Sequence, residues 1–359
     1  MAEHTPLILV INPGSTSTKV AVYAGTKEIH SKNVEHPAAE LAKFDLVSEQ
    51  FDLRRAAIEA WLDTLPDADK KFTAIAGRGA PLKPLKGGTY SISKQMLDDV
   101  TKSTYSNHAS NLGAILADYF AKKHKIPAYI TDPITTDNFT ELARISGVPE
   151  IKRKCRSHCL NIKAMGRAEA AKLGKKLDEV NFVVAHMGGG ISVAALEKGR
   201  VVDVNDGLLG MGPFSPDRAG ALPIGGVVEL CFSGKFTKDE LVKKFSKESG
   251  LIAYLGTSDL REVEKKIAAG DNQAALIFDA MCYQIAKEIG ACAAVLKGDV
   301  QGIILTGGMA HSEKLRDTIE QYVKFIAPVI NAAGEFEMIA LAEGAIRALN
   351  GEETIQVYE

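Results

Sequence analysis

The segment LILVINPGSTSTKVAVY, residues 7–23, places an apolar run, a knot of hydroxyls ending in Lys19 and a second apolar run back to back. Gly14 permits a tight turn, and Ser15, Thr16, Ser17, Thr18 and Lys19 follow as consecutive donor side chains able to face an anion. Phosphate is the anion such a turn suits, although glycine and serine are ordinary turn residues and the stretch taken alone reads more readily as a solvated hairpin tip. A second stretch changes the balance. FVVAHMGGGISVAAL, residues 182–196, repeats the plan with Gly188, Gly189, Gly190 and Ser192 at its turn. One such hairpin near the start of each half predicts a duplicated domain whose two turns face one ligand, with chance recurrence of a glycine-rich hairpin as the alternative.

Three further positions carry candidate chemistry. Asp132 comes one residue after the apolar run Ile126–Ile130, at the carboxyl end of a predicted strand, where open α/β sheets bind ligands. In ILTGGMAHS, Gly307 and Gly308 follow another apolar run and precede a predicted helix, so backbone there can approach a nucleotide closely. Each of these, alone, also fits an ordinary strand-to-helix turn. CRSHC, residues 155–159, sets Cys155, His158 and Cys159 at helical spacing, which could be read as metal ligands, but the order does not match a C-x-x-C-H haem site and no second ligand cluster lies nearby.

Hydrophobic patterning shows the elements that must hold these residues. Strand-length apolar runs alternate with helical patterns, which predicts an α/β fold. Phe51, Ile58, Trp61, Leu62 and Leu65 recur at helical spacing, as do Phe278, Met281, Ile285, Ile289, Cys292 and Leu296. A chain of 359 residues exceeds one ordinary core, so two domains are expected: residues 1–160 joined by a segment of about 345–359, and residues 161–344. No long low-complexity linker separates them.

Composition narrows the function classes. With 46% hydrophobic and 25% charged residues the chain has the balance of a globular protein. Forty-three basic against forty-five acidic residues, a net charge of −2, offer no electrostatic reason to bind nucleic acid or an anionic membrane. The most apolar long segment, Ala274–Leu296, is interrupted by Asp279, Gln284, Lys287 and Glu288, which suits a buried helix better than a membrane span. MAEHTPLILV lacks the marks of a signal peptide and the five scattered cysteines make no disulfide framework, so a reducing, cytoplasmic setting is expected.

The pattern G-x-x-x-x-G-K-[ST] is absent, as are HRD and DFG, and Gly207, Gly210 and Gly212 do not complete G-x-G-x-x-G. What remains is a phosphate-binding hairpin built twice, the plan of the sugar kinase, heat-shock ATPase and actin superfamily. INPGSTSTKVAVY, SNHASNLG, ARISGVPEIKRK, AHMGGGISVAA, GPFSPDRAGALP, ILTGGMAHS and GEFEMIALAEGA occur in this order. On these stretches the chain resembles the butyrate kinases of the acetate kinase family, from the first strand almost to the end.

The resemblance implies an α/β fold of duplicated actin-like (ribonuclease H-like) domains with a nucleotide cleft between them. It implies ATP and Mg²⁺ as cofactors, ADP and an acyl phosphate as products, and reversible in-line transfer to a short-chain carboxylate. Butyrate or a branched relative is the expected acceptor, with acetate or propionate as the alternative, and a homo-oligomer, at least a dimer, is implied as well. Asn12, Gly14, Ser15, Ser17 and Lys19 match the family's N-x-G-S-x-S-x-K pattern and would handle phosphate and metal. Arg78 in AGRGAP and Arg218 in SPDRAG match its two essential arginines, His158 its transition-state histidine, and Asp132 with Glu335 its metal-linked acidic pair. His186, Gly188 and Gly190 match the second phosphate loop, and Gly307 and Gly308 the adenosine loop.

Departures fall at two places. Asn107 aligns where acetate kinases carry a histidine, leaving His108 one place along, and neither takes a catalytic role on that basis. The match of Glu335 rests on GEFEMIA alone, because NAAGEF lacks the nearby proline expected there. A non-catalytic nucleotide-binding scaffold of the actin type is the rival reading, and such a scaffold would not need Arg78, Arg218 and His158 together.

Overall fold

The computed structural model describes residues 5–359, which divide into two compact units: the chain through Asp137 together with Phe336–Glu359, and Asn138–Glu335. The first unit holds β1 (Leu7–Pro13), β2 (Ser17–Ala24), β3 (Lys27–Glu35), β4 (Ala74–Arg78), β5 (Thr89–Ser91) and β6 (Ala128–Thr131). The second holds β7 (Asn181–Met187), β8 (Ile191–Glu197), β9 (Arg200–Val204), β10 (Gly302–Gly307) and β11 (Val329–Ala333), and β12 (Gln356–Val357) returns to the first.

Within the first unit the sheet order is β12-β5-β6-β4-β1-β2-β3. Strands β1, β2 and β3 pair antiparallel, and β4 and β6 continue parallel to β1. The second unit has order β11-β10-β7-β8-β9, with β7, β8 and β9 antiparallel and β10 and β11 parallel to β7. Three antiparallel strands followed by two parallel ones therefore occur twice, the ribonuclease H-like arrangement of a duplicated actin-like fold. Even the irregularity repeats, for a register shift interrupts both β2–β3 and β8–β9.

Both central hairpins arise from the apolar runs that flank the two turns. Ile8, Leu9, Val10 and Ile11 are all buried, as are Phe182 through Met187, which is the continuous apolar pattern of strands covered on both faces. Strand β3, at an edge, is mostly polar and carries Lys27 and Lys32, residues that discourage edge-to-edge pairing.

Helices cover the sheets as their patterning requires. Asn272–Val295 buries Phe278, Met281, Ile285, Ile289 and Cys292 against β7 and β8 and is capped by Asp271, whose side chain accepts from the amides of Gln273 and Ala274. Phe51–Leu62 buries Ile58, Trp61 and Leu62, whereas Leu65 lies in the turn beyond it. Among the described residues no helix is long and apolar enough to cross a membrane.

The compact units change over at 137/138 and 335/336, where the sequence reading has 160/161 and 344/345. Packing accounts for the difference. Residues 138–160 are tied to β9, because Thr140 N–H donates to Val202 O at 3.2 Å and Arg153 pairs with Asp203 at 2.6 Å. At the other end the helix Glu337–Leu349 packs whole against β1, β4 and β6.

One close approach sets the position of β4. The helix Asn111–His124 crosses it so near that a Cβ on Gly113 would strike the carbonyl of Arg78, and one on Gly77 would strike the carbonyl of Gly113. Gly113→Ala is therefore expected to lose about 1–3 kcal/mol of stability in urea denaturation, the steric cost outweighing alanine's preference for helix. An unchanged or raised midpoint would show that the helix can shift without penalty.

Candidate active site

In the first unit the turn after β1 is held from within. Pro13 and Thr18 form the last ladder pair, and the four carbonyls between them all have partners. Arg54, fully buried, donates through Nη1 to Gly14 O and Ser17 O at 2.9 Å each and through Nη2 to Ser15 O at 3.1 Å. His36 N–H takes Thr16 O at 2.8 Å, and Gly14 N–H also reaches Ser17 O at 2.8 Å. Ser15, Thr16 and Lys19 are exposed and Ser17 half-buried.

Thr18 differs from the expectation that all five donors face an anion. Strand alternation turns it inward, where it is fully buried, accepts from Arg54 Nη1 at 3.1 Å and meets His36 Nε2 at 2.9 Å. Burial first, and then the Arg54 charge, lower the His36 pKa to about 4.

Asn12 lies opposite Lys19 in the β1–β2 ladder, so both side chains share a face. Asn12, Arg78 and Asp132 occupy the carboxyl ends of β1, β4 and β6, three neighbouring parallel strands. Arg78 Nη1 donates to Asn12 Oδ1 at 3.0 Å and to Glu337 Oε2 at 3.0 Å, and Asn12 Nδ2 donates to the same Glu337 oxygen at 3.0 Å. Glu337, in the first turn of its helix, is absent from the sequence reading, which picks Glu335 two residues earlier. The acidic first turn following GEF was the available signal. Glu335 itself is exposed.

Asp132 is buried with φ of 40° and is clasped by Gly88: its amide donates to Gly88 O at 3.0 Å and its Oδ1 accepts from Gly88 N–H at 2.8 Å. Burial, and secondarily the Asp132 charge, push the Tyr90 hydroxyl up to about 12. The two neighbours left unassigned in sequence now separate. Asn107 is a structural tie, accepting from Val47 N–H at 2.8 Å and donating to Asp45 O at 2.9 Å. His108 lies within the field of Arg78, and burial and then that charge lower its pKa. Ser110 N–H donates to its Nδ1 at 3.2 Å, which leaves the ring proton on Nε2.

The second unit gathers its own set. His186 on β7 pairs with Ser192 on β8, and His158 meets Ser192 Oγ through Nδ1 at 2.9 Å while its ring stacks on His186 at 4.2 Å between centroids. The hairpin turn is three glycines: Gly188 N–H reaches Gly190 O at 3.1 Å, and Ser215 Oγ donates to Gly189 O at 2.5 Å. Arg218 lies against this turn, so close that a Cβ on Gly190 would strike its guanidinium. Its Nη1 donates to Gly207 O, and its amide donates to Ser215 Oγ at 3.2 Å.

Gly307 has φ of 89° and exchanges two 3.1 Å backbone bonds with Gly334, and a side chain there would strike Met187 O. Gly308, by contrast, faces open space at the start of the short helical turn Gly308–His311. Thus His158, His186, Gly188, Gly190 and Arg218 come together in one unit, and Asn12, Lys19 and Arg78 in the other, with Asp132 at the adjoining strand end.

These residues sit in a chain that belongs to the acetokinase family, whose model matches residues 151–336. Its relatives include butyrate kinase 1 of Clostridium acetobutylicum, 47% identical over 355 residues, which are 98% of this chain and 99% of that protein. Probable butyrate kinase 2 of Caldanaerobacter subterraneus subsp. tengcongensis is 51% identical over 351 residues, again 98% and 99% of the two chains. Among solved structures, Porphyromonas gingivalis acetate kinase superposes with a TM-score of 0.78 at 19% identity, covering 96% of this chain and 100% of that one. A propionate kinase from Francisella tularensis subsp. tularensis gives 0.72 at 18%, covering 94% and 98%, and the two support the shared fold.

The inward-facing histidine has a measurable consequence. Between pH about 6.5 and about 4 the unfolded chain binds more protons at His36 than the folded one, so stability falls as pH falls through that window. In urea denaturation the advantage of the native protein over His36→Gln is expected to shrink from pH ~7 to pH ~5. An advantage that grows on acidification would contradict the buried neutral ring.

Proposed function

We infer that this protein is a short-chain fatty acid kinase that transfers the terminal phosphoryl group of ATP to butyrate or a branched relative, reversibly, in the cytoplasm. The identity with two butyrate kinases over nearly the whole of each chain carries this reading. The fixed hydrogen bonding of Arg78 and of Arg218, each within its own unit, supports it.

A carboxylic acid with pKa ~4 is ionised at neutral pH, so the nucleophile needs no general base. The barrier is the approach of one anion to another, which calls for positive charge in fixed geometry. A carboxylate oxygen forms a bond to the γ-phosphorus while the bond from that phosphorus to the bridging oxygen breaks, giving acyl phosphate and ADP. Arg78, steadied by Asn12 and Glu337, and Arg218, steadied by Gly207 and the Gly188–Gly190 turn, are assigned to the charge on the equatorial oxygens. His158, whose Nδ1 meets Ser192 Oγ at 2.9 Å, is assigned to the transferring phosphoryl group in the transition state. Gly308 leaves open backbone for the adenosine side.

Among the described residues no group of three or more His, Cys, Asp and Glu side chains is arranged to hold a metal unaided. Mg²⁺ retains waters and takes one or two carboxylates together with substrate phosphates. Asp132, a hard-oxygen donor fixed by Gly88, fits this role, with Glu335 as the second carboxylate. When bound, the ion neutralises charge on the phosphate chain.

A second copy of the chain completes the assembly we propose. The helix Ile224–Phe232 buries no residue of its own, and Ile224, Val228 and Phe232, on one face, are 79%, 50% and 86% exposed. Its single charge is Glu229. An uncovered apolar face of this kind calls for a partner, and a like helix matches it without any opposing charge to satisfy.

Two measurements decide. Acyl phosphate trapped with hydroxylamine, in the presence of ATP, Mg²⁺ and a series of acids, is expected to peak with four-carbon acids, and no hydroxamate with any acid would favour the scaffold reading. In the same assay Arg78→Ala and Arg218→Ala are expected to lower turnover ~10³-fold or more with a much smaller change in KM for ATP. Separately, Phe232→Glu is expected to convert a dimer to a monomer in light scattering, and a native protein that is monomeric at all concentrations would remove the dimer.

A further inference from the structure

Arg54 has the surroundings of a functional group rather than of a core residue. It is fully buried, yet among the described residues no carboxylate pairs with it and its charge is met only by neutral acceptors. Gln50 Oε1 receives Nε at 3.1 Å and Nη2 at 2.9 Å, which fixes the plane of the fork. The remaining bonds all go to Gly14, Ser15, Ser17 and Thr18. Burying a guanidinium is costly, and an apolar side chain of similar volume would do better for stability alone.

We propose that Arg54 is a positioning residue for phosphoryl transfer: it draws the carbonyls of the Gly14–Ser17 turn inward so that the turn's amide and hydroxyl donors face the anion. Among the described residues the amides of Ser15 and Thr16 donate to no group of the chain, as an anion-binding turn requires. Arg54 also lays a fixed positive charge beneath the turn, against the carbonyls of Gly14, Ser15 and Ser17. Burial lowers its pKa only to about 10, so the charge persists at neutral pH. Lysine cannot replace it, because a single ammonium does not span three carbonyls and Gln50 at once. The inference rests on the kinase reading for its catalytic part and on geometry alone for the ordering of the turn.

The test compares Arg54→Lys and Gln50→Met with the native protein. In the hydroxylamine assay Arg54→Lys is expected to lower kcat roughly 10²-fold, with KM for ATP little changed, because the loss is of alignment rather than of nucleotide binding. In hydrogen exchange of the ligand-free protein, peptides covering residues 9–23 are expected to exchange about tenfold faster while those within Asn272–Val295 keep native protection. Gln50→Met, which leaves the guanidinium but frees its plane, is expected to show both effects at smaller size. If Arg54→Lys loses protection throughout, Gln50→Met alone decides. Unchanged turn exchange overturns the proposal, and so does faster exchange with native kcat, which would make Arg54 purely structural. If the native protein yields no hydroxamate, the kinase reading fails, and the exchange result still decides whether Arg54 orders the turn.

Discussion

Like charges resist being brought together, and a carboxylate attacking a nucleotide phosphate must overcome that resistance without help from a base. Guanidinium groups meet the need only when they are held still, and holding one still takes acceptors. Arg78 engages Asn12 and Glu337 through Nη1. Arg218 leans on a carbonyl and on a turn without side chains. Arg54 is enclosed altogether, and its charge acts through the backbone that it organises. Arg78 and Arg218 are both half-buried, whereas Arg54 is fully buried.

The two hairpins solve one problem in different ways. Both join a strand buried on two faces to an antiparallel neighbour, and both stand first in the same five-strand arrangement. The first turn is Gly14 followed by three residues with hydroxyl side chains, with a guanidinium beneath. The second is three glycines with a guanidinium laid against it. Where side chains donate, the charge can sit below. Where there are none, backbone and arginine must share the same face.

Much of this was legible in the sequence, because hydrophobic runs and glycine spacing report local geometry directly. The duplicated hairpins, the helix Asn272–Val295 and the strand-end location of Asp132 are all of this kind. Thr18 was harder, since one step along a strand reverses the direction of a side chain and only the ladder register says which hydroxyls turn inward. Arg54 was invisible for a related reason: one arginine among the polar positions of Phe51–Leu62 looks solvated until its neighbours in space are known. Glu337 eluded sequence because it meets Asn12 across 325 positions. The limits of the units depend likewise on contacts such as Arg153 with Asp203, which no local pattern encodes.

The path of the backbone imposes an order on biosynthesis. Asn138–Glu335 is one uninterrupted stretch, so it can close its core as soon as it leaves the ribosome. The other sheet must wait, because the helix Glu337–Leu349 and β12 that complete it are made after that stretch. Until Glu337 is made, Arg78 and Asn12 lack the carboxylate that holds them together.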